Sequence, residues 1–273
     1  NGSKSVTISN LTHSYAMAAK GNGFKDEFIK DQEVRTLIDR YGDICDDLHT
    51  DLHECLGHGS GQLLPQTDPD ALKNYGNTIE EARADLFGLY YIADYKLVEL
   101  GLTPSPEAYK AQYYEYLLNG LITQLVRIKP GHTIEEAHMR NRSLIAHWVY
   151  EHSNGAIKLQ KIEGKTLLYI SNYETLRSLF AQLLAEIQRI KSEGDFEAAK
   201  QLVETYAVKV DEKLHKEVLD RYKQLNIAPY KGFINPWMKL KKNEKGEIID
   251  VLIDYTESYT HQMLRYSKEY ATL

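Results

Sequence analysis

Two imidazoles flank a carboxylate in the run His53-Glu54-Cys55-Leu56-Gly57-His58, which continues through Gly59-Ser60-Gly61-Gln62. Histidine nitrogens bind zinc readily and a glutamate beside them can move a proton, so the order of these residues points to a zinc hydrolase, with a zinc peptidase as the leading reading. The spacing is not the common His-Glu-x-x-His, in which histidines four apart share one helical face. Here they are five apart, with Gly57 as the extra residue. On an ideal helix a step of four leaves side chains about 40° apart, and a step of five about 140° apart. A regular helix would therefore aim the two ligands in different directions. A one-residue π-bulge near Gly57 restores a common face, and such bulges recur at functional sites.

Catalytic zinc generally takes three protein ligands and keeps a fourth position open. Glu81 stands 23 residues beyond His58, in the run Thr78-Ile79-Glu80-Glu81-Ala82-Arg83-Ala84-Asp85. Read by itself the run is a capping box, with Thr78 as the cap, Glu81 at the third position after it and acids favoured by the helix dipole. Beside the histidine pair it supplies what such a site lacks, a helix that brings one carboxylate to the metal and others behind its ligands. His49, four before His53, competes on spacing alone but has no adjacent glutamate. His13, His132, His147, His152, His215 and His261 have no partner at ligand spacing and read as structural or solvated. Cys55 is expected to face away from the metal as a small buried side chain. Cys45, on the same helical stretch and roughly 15 Å away along it, is too far to bridge to Cys55.

Together the two segments resemble the hallmarks of the dipeptidyl peptidase III family, the M49 metallopeptidases, which are HExxGH followed by EExxA(E/D); the form HECLGH is the bacterial type. The resemblance runs on through Gly59-Ser60-Gly61, Phe87-Gly88-Leu89-Tyr90, Glu136-Ala137-His138-Met139 with Arg142, and Tyr230-Lys231-Gly232-Phe233-Ile234-Asn235-Pro236. It implies one zinc ion per chain held by His53, His58 and Glu81, with Glu54 as general base. It also implies Glu80 and Asp85 as partners of the two histidines, His138 as a stabiliser of the transition state and Lys231 as a lysine near the catalytic cleft. Tyr230 departs from the arginine often found at that position in the family. The implied activity is release of dipeptides from the amino terminus of short peptides. The implied architecture is a helical zinc lobe facing a second lobe built around a β-barrel. Most of that second lobe, with the groups that hold the substrate's amino end, is expected in an amino-terminal part of the same protein that this chain lacks.

The chemistry suits these roles. Zinc with three protein ligands lowers the pKa of bound water toward about 7. Glu54 neighbours a ligand but points elsewhere, so it is placed to take the water's proton and deliver it to the leaving amine. His138 and Arg142, four apart on a helix expected over 134–151, share a face from which they can meet a developing oxyanion. Two other readings compete. One is a general endopeptidase or aminopeptidase of the gluzincin kind, told apart by whether products leave two residues at a time. The other is a non-catalytic, zinc-stabilised domain that binds peptides. Glu54 argues against the latter, since a structural site closes its fourth position and needs no base.

The remaining sequence describes the frame. A chain of 273 residues with net charge −6 carries no large basic field for nucleic acid. Its two cysteines build no disulfide framework, no apolar run reaches the roughly 20 residues of a membrane span, and Asn1-Gly2-Ser3-Lys4 is not a signal peptide. The expected compartment is the cytoplasm. Hydrophobic periodicity predicts a mainly α fold, with helices over 26–41, 44–57, 78–100, 105–128, 134–151, 173–192, 195–206, 211–225 and 257–270. Minor β elements are expected over 4–10, as a hairpin over 156–170 turning at Glu163-Gly164-Lys165, and over 231–254. These give an expected division into a strand-like segment 1–20, a helical catalytic lobe 21–229 and a β-rich segment 230–273, with the seam at Pro229.

Overall fold

The computed structural model of the chain describes residues 14–17, 19–227 and 235–270. The expected strand over 4–10 and Lys231 lie outside the described residues. The fold is mainly α, and its described residues divide into one unit formed by 25–226 and a second formed by 14–17, 19–24, 227 and 235–270.

In the first unit the order is α1 (Phe24–Phe28), α2 (Gln32–Leu52), a π-helix (His53–His58), a 3₁₀ turn (Lys73–Tyr75), α3 (Gly76–Ile92), α4 (Tyr95–Glu99), α5 (Tyr109–Leu121), a 3₁₀ turn (Thr123–Arg127), α6 (Ala137–His152), the strands β1 (Ile157–Ile162) and β2 (Lys165–Ile170), and α7 (Tyr173–Glu193), α8 (Phe196–Tyr206) and α9 (Glu212–Gln224). Several boundaries differ from expectation for local reasons. The segments 26–41 and 44–57 contain one long helix, because Gly42 is buried against α5 and does not break the ladder. The expected helix 78–100 stops at Ile92, where Asp94 turns to an extended conformation and caps α4 through its carboxylate on Lys96 N. Gly194, in the left-handed conformation at φ 70°, ends α7. The hairpin pairs β1 and β2 antiparallel from Ile157↔Ile170 to Ile162↔Lys165. Glu163 and Gly164 at φ 50° and 80° make its turn.

The core is organised around α3. This helix buries ten of its seventeen residues, including Ile79, Ala82, Ala84, Leu86 and Leu89. A helix apolar on most of its circumference has to be enclosed by others, and α2, the π-helix, α6 and α7 surround it. Two close approaches depend on residue size. A Cβ on Gly57 would fall 2.6 Å from Ala84 Cα, and one on Gly88 would overlap the imidazole of His49. These contacts let α2 and the π-helix press against the backbone of α3.

In the second unit, β3 (Trp237–Lys242) and β4 (Ile248–Asp254) form an antiparallel hairpin, followed by α10 (Tyr259–Tyr270). Gln262 of α10 binds the backbone of Asn235 in both directions, with its carbonyl accepting from Asn235 N and its amide donating to Asn235 O. The guanidinium of Arg265 sits 4.9 Å from the ring centre of Trp237.

Candidate metal centre

The end of α2 widens into a π-helix over all six residues of His53–His58. Hydrogen bonds in a π-helix link residues five apart, so side chains at that spacing stand one turn above each other. The sequence expectation of a single bulged residue at Gly57 is thus replaced by a broader widening of the whole motif. His53 and His58 meet with Nε2 atoms 3.0 Å apart and rings nearly perpendicular. Gly57 lets this wide turn seat directly on Ala84.

Three acids of α3 face the pair. Thr78 does not cap this helix: α3 starts at Gly76, entered from the 3₁₀ turn, and Thr78 is buried inside it. Glu80 and Glu81 are therefore released from capping. Asp85 Oδ1 accepts a hydrogen bond from His53 Nδ1 at 2.7 Å, and Glu80 Oε1 accepts one from His58 Nδ1 at 2.9 Å. An ionised carboxylate only accepts, so each Nδ1 carries the hydrogen and each Nε2 is presented to the site. Glu81 Oε2 lies 3.4 Å from His53 Nε2, 3.8 Å from His58 Nε2 and 3.3 Å from His138 Nδ1. It is buried and forms no hydrogen bond with any of them. Two imidazole nitrogens and a buried carboxylate oxygen thus converge, which is the donor set of a mixed histidine and carboxylate zinc site. Ligand atoms of His53, Glu54 and His58 also lie within 4.8 Å of one another, so a second carboxylate stands at the edge of the same cluster.

The surroundings fix the charges. Burial would raise the carboxyl of Glu81, but His138 and His53 bring it down to about 2. Burial acts likewise on Glu80, where Arg83, Lys191 and His58 bring it to about 2. Asp85 is held well below the usual carboxylate range, because its hydrogen bond with His53 and the charges of His49, His53 and Arg142 outweigh its burial. For His53 burial lowers the value, yet Asp85 and Glu81 push it up to about 10. The Glu81 carboxylate, 3.3 Å from its Nδ1, raises His138 too. All three acids are ionised at neutral pH, and a metal entering here displaces a proton from His53.

Other residues named from the sequence fall as follows. His138, on the first turn of α6, has a side chain 61% exposed and reaches Glu81. Arg142 is one turn further along the same helix, half-buried. Glu54 is half-buried in the π-helix. His49 is buried away from the cluster, with Nε2 3.2 Å from the backbone oxygen of Asp85, so His53 converges with His58 and not with His49. Cys55 is exposed and not buried as expected.

Four residues escaped the sequence reading. Arg83, fully buried, donates from Nη2 to Gly57 O at 2.7 Å and to Glu80 Oε1 at 2.8 Å. Lys191 of α7 pairs with the other oxygen of Glu80. Tyr116 of α5 and Asn141 of α6 donate to Asp85 Oδ2 at 2.7 and 3.1 Å. Arg83 had a signal, since it lies three residues from Glu80 on one helical face. The others are brought in by tertiary packing and have none.

The sequence profile of peptidase family M49 matches residues 1–77 and 69–259. The chain belongs to peptidase family M49. Among curated relatives this M49 chain is 25% identical over 252 residues to dipeptidyl peptidase 3 of Mus musculus, which covers 77% of the chain and 34% of the mouse protein. Its identity to dipeptidyl peptidase 3 of Rattus norvegicus is 24% over 252 residues. The fold is similar to that of DPP III from Caldithrix abyssi, with TM-score 0.60, 24% identity and coverage of 79% of this chain and 38% of that one. It is also similar to dipeptidyl-peptidase III from Corallococcus sp. strain EGB, with TM-score 0.61, 20% identity and coverage of 81% and 38%. The M49 chain spans about a third of the length of these relatives.

Proposed function

We propose that this M49 chain is the zinc-binding part of a dipeptidyl peptidase that removes dipeptides from the amino terminus of short peptides. The observation that carries this reading is the convergence of His53 Nε2, His58 Nε2 and the buried, unbonded Glu81 Oε2 beside a second carboxylate, Glu54. His53, His58 and Glu81 would hold the metal. Zinc so held supplies an acidified water and a Lewis acid for the scissile carbonyl.

The chain's own residues do the rest. Glu80 and Asp85 keep each Nδ1 protonated and each Nε2 toward the ligand position. Glu54 takes the proton of the attacking water and returns it to the leaving amine, while Glu81 remains a ligand. His138, raised in basicity by Glu81, presents a proton to the developing oxyanion. Arg142, four residues on from His138 on the same face, is assigned to the same oxyanion, and Lys231 is assigned to the catalytic cleft by its place in the family pattern. Clamping of the substrate's amino end belongs to an amino-terminal lobe of the full-length protein. Among the described residues no helix is long and apolar enough to cross a membrane.

Metal analysis paired with product analysis tests the reading. The chain should carry zinc in a 1:1 ratio, lost in the His53, His58 and Glu81 alanine variants and kept in Glu54→Ala. With the full-length protein, mass spectrometry of a digested heptapeptide should show products shortened two residues at a time. Internal cleavage would favour the endopeptidase reading, and single-residue steps an aminopeptidase.

A further inference from the structure

Asp85 is where four elements meet behind the metal site. Its side chain is buried on α3, and Oδ1 accepts from His53 Nδ1 at 2.7 Å. The other oxygen, Oδ2, takes two donors: the hydroxyl of Tyr116 on α5 at 2.7 Å and the amide of Asn141 on α6 at 3.1 Å. Tyr116 is 5% exposed and Asn141 1%. A carboxylate's terminal torsion is soft, with a broad, roughly two-fold profile. Two donors from different helices landing on one oxygen remove that freedom. The plane of the carboxylate is then set, and Oδ1 is left facing one direction, that of the imidazole.

The chemistry of the donors differs between the two histidines. Glu80, behind His58, is bound by the cations Arg83 and Lys191. Asp85, behind His53, takes the two hydrogen bonds on Oδ2 from neutral groups, which orient the carboxylate, while the nearby imidazoles of His53 and His49 lie toward Oδ1, at 2.7 and 3.9 Å. It thus remains a strong acceptor toward Nδ1, the property that raises a ligand's basicity toward metal. Asn141 also lies between His138 and Arg142 on α6, so its hydrogen bond ties the helix that carries those residues to the partner of His53.

We propose that Tyr116 and Asn141 are positioning residues for the metal ligand His53, acting through Asp85. This rests on the zinc reading above, and the test separates the two. Zinc affinity would be measured on the chain by competition with a chromophoric chelator. Visible absorption of the cobalt(II)-substituted protein would report ligand geometry. Tyr116→Phe removes only a hydroxyl, and Asn141→Leu replaces the amide at similar size. Each should weaken zinc by about 3- to 30-fold, somewhat below the 10- to 100-fold typical of a direct partner of a ligand, and should alter the cobalt bands. In a His53→Ala background, Tyr116→Phe should change the residual affinity little, because its route to the metal has been cut. If His53→Ala binds zinc like the parent, the zinc reading itself fails. If His53→Ala loses affinity while Tyr116→Phe keeps both parental affinity and parental cobalt bands, the zinc reading stands and the positioning role is overturned. Should Asn141→Leu lose its fold by circular dichroism, Tyr116→Phe decides alone. An equal loss from Tyr116→Phe with and without His53 also overturns the proposal, since it would mark a general structural effect.

Discussion

Arg83 donates to the carbonyl oxygen of Gly57 at 2.7 Å from a guanidinium that is fully buried. Gly57 O lies at the end of the π-helix, where carbonyls lack helical partners. The same nitrogen reaches Glu80, which orients His58. One side chain therefore joins the shape of the motif's backbone to the bearing of one of its histidines.

Replacing Arg83 by Met should be costly on two counts. It takes from Gly57 O its shortest hydrogen bond, leaving the longer ones from Ser60 N and Oγ at 3.2 and 3.3 Å, and leaves Glu80 with Lys191 as its remaining cation. Breaking a buried pair from one side typically costs about 3–5 kcal/mol, and each kcal/mol lowers the melting temperature by about 2–4 °C in a domain of this order. Thermal denaturation should show a drop of roughly 10 °C. A loss below 2 °C would mean that solvent or a rearranged Lys191 satisfies both groups.

Gly57→Ala tests the seat of the π-helix on α3. The added Cβ would fall 2.6 Å from Ala84 Cα and 2.7 Å from its Cβ. Backbone cannot be moved aside as a flexible side chain can, so α3 and the motif must separate. Because α3 carries Glu80, Glu81 and Asp85, zinc affinity should fall at least about 10-fold together with stability. Ala84→Gly in the same chain should recover part of the loss by removing one of the two contacts. Parental zinc affinity in the single variant would show that the close approach is not needed to assemble the site.

How much of this was legible in the sequence depended on how local the signal was. The spacing of His53 and His58 required a widened turn, and the hairpin over 156–170 announced itself through Glu163-Gly164. Both are settled within a few residues. The capping reading of Thr78 failed because Lys73–Tyr75 wound into a 3₁₀ turn that moved the helix start to Gly76. Nothing near Thr78 revealed this. Tyr116 and Asn141 lie 31 and 56 residues from Asp85. On their own helices they look like ordinary buried residues, and their role arises only from the packing of α3, α5 and α6. Cys55 was misjudged because burial on a wide terminal turn depends on what packs over it.

Glu81 and Glu54 should part company on substitution. Glu81 Oε2 faces both Nε2 atoms and His138, so Glu81→Ala removes a metal donor and should reduce zinc occupancy. Glu54→Ala should keep zinc and lower turnover of the full-length protein by about 10²- to 10⁴-fold, as for loss of a general base. Plasma emission spectrometry on purified variants separates them. Equal zinc loss in both would make Glu54 a ligand and require another base.

A longer version of the protein, extended at its amino terminus, should hydrolyse a dipeptidyl-naphthylamide far faster than this chain at matched zinc content. The chain spans about a third of the length of its relatives, and misplacement of a scissile bond by about 1 Å can cost on the order of 10²-fold. The measurement is kcat/KM for both forms. Equal values would place all substrate-holding groups within these 273 residues.

Glu115 gives a pH dependence of stability unconnected with the metal site. It lies on α5 against Gly42 of α2, where an added Cβ would come 3.0 Å from its Oε2. Burial pushes its carboxyl up to about 7; Lys25 opposes this, while Asp46, Asp43 and Asp39 add to it. Unfolded, it titrates near the ordinary glutamate value of about 4.3. Between these values the folded state binds more protons than the unfolded one, so this group's contribution to stability falls as pH rises from about 4.3 through about 7. Below that window Glu115 is neutral in both states; above it the fold must bury a charge beside three other acids. Glu115→Gln cannot ionise and keeps the shape. The melting temperatures of parent and variant should therefore diverge as pH is raised from 4.5 to 8, with the variant a few degrees more stable at the upper end, corresponding to on the order of 1–3 kcal/mol. Taking the difference between the two curves removes titrations common to both. A constant difference across that range would mean that Glu115 ionises in the fold as readily as in water.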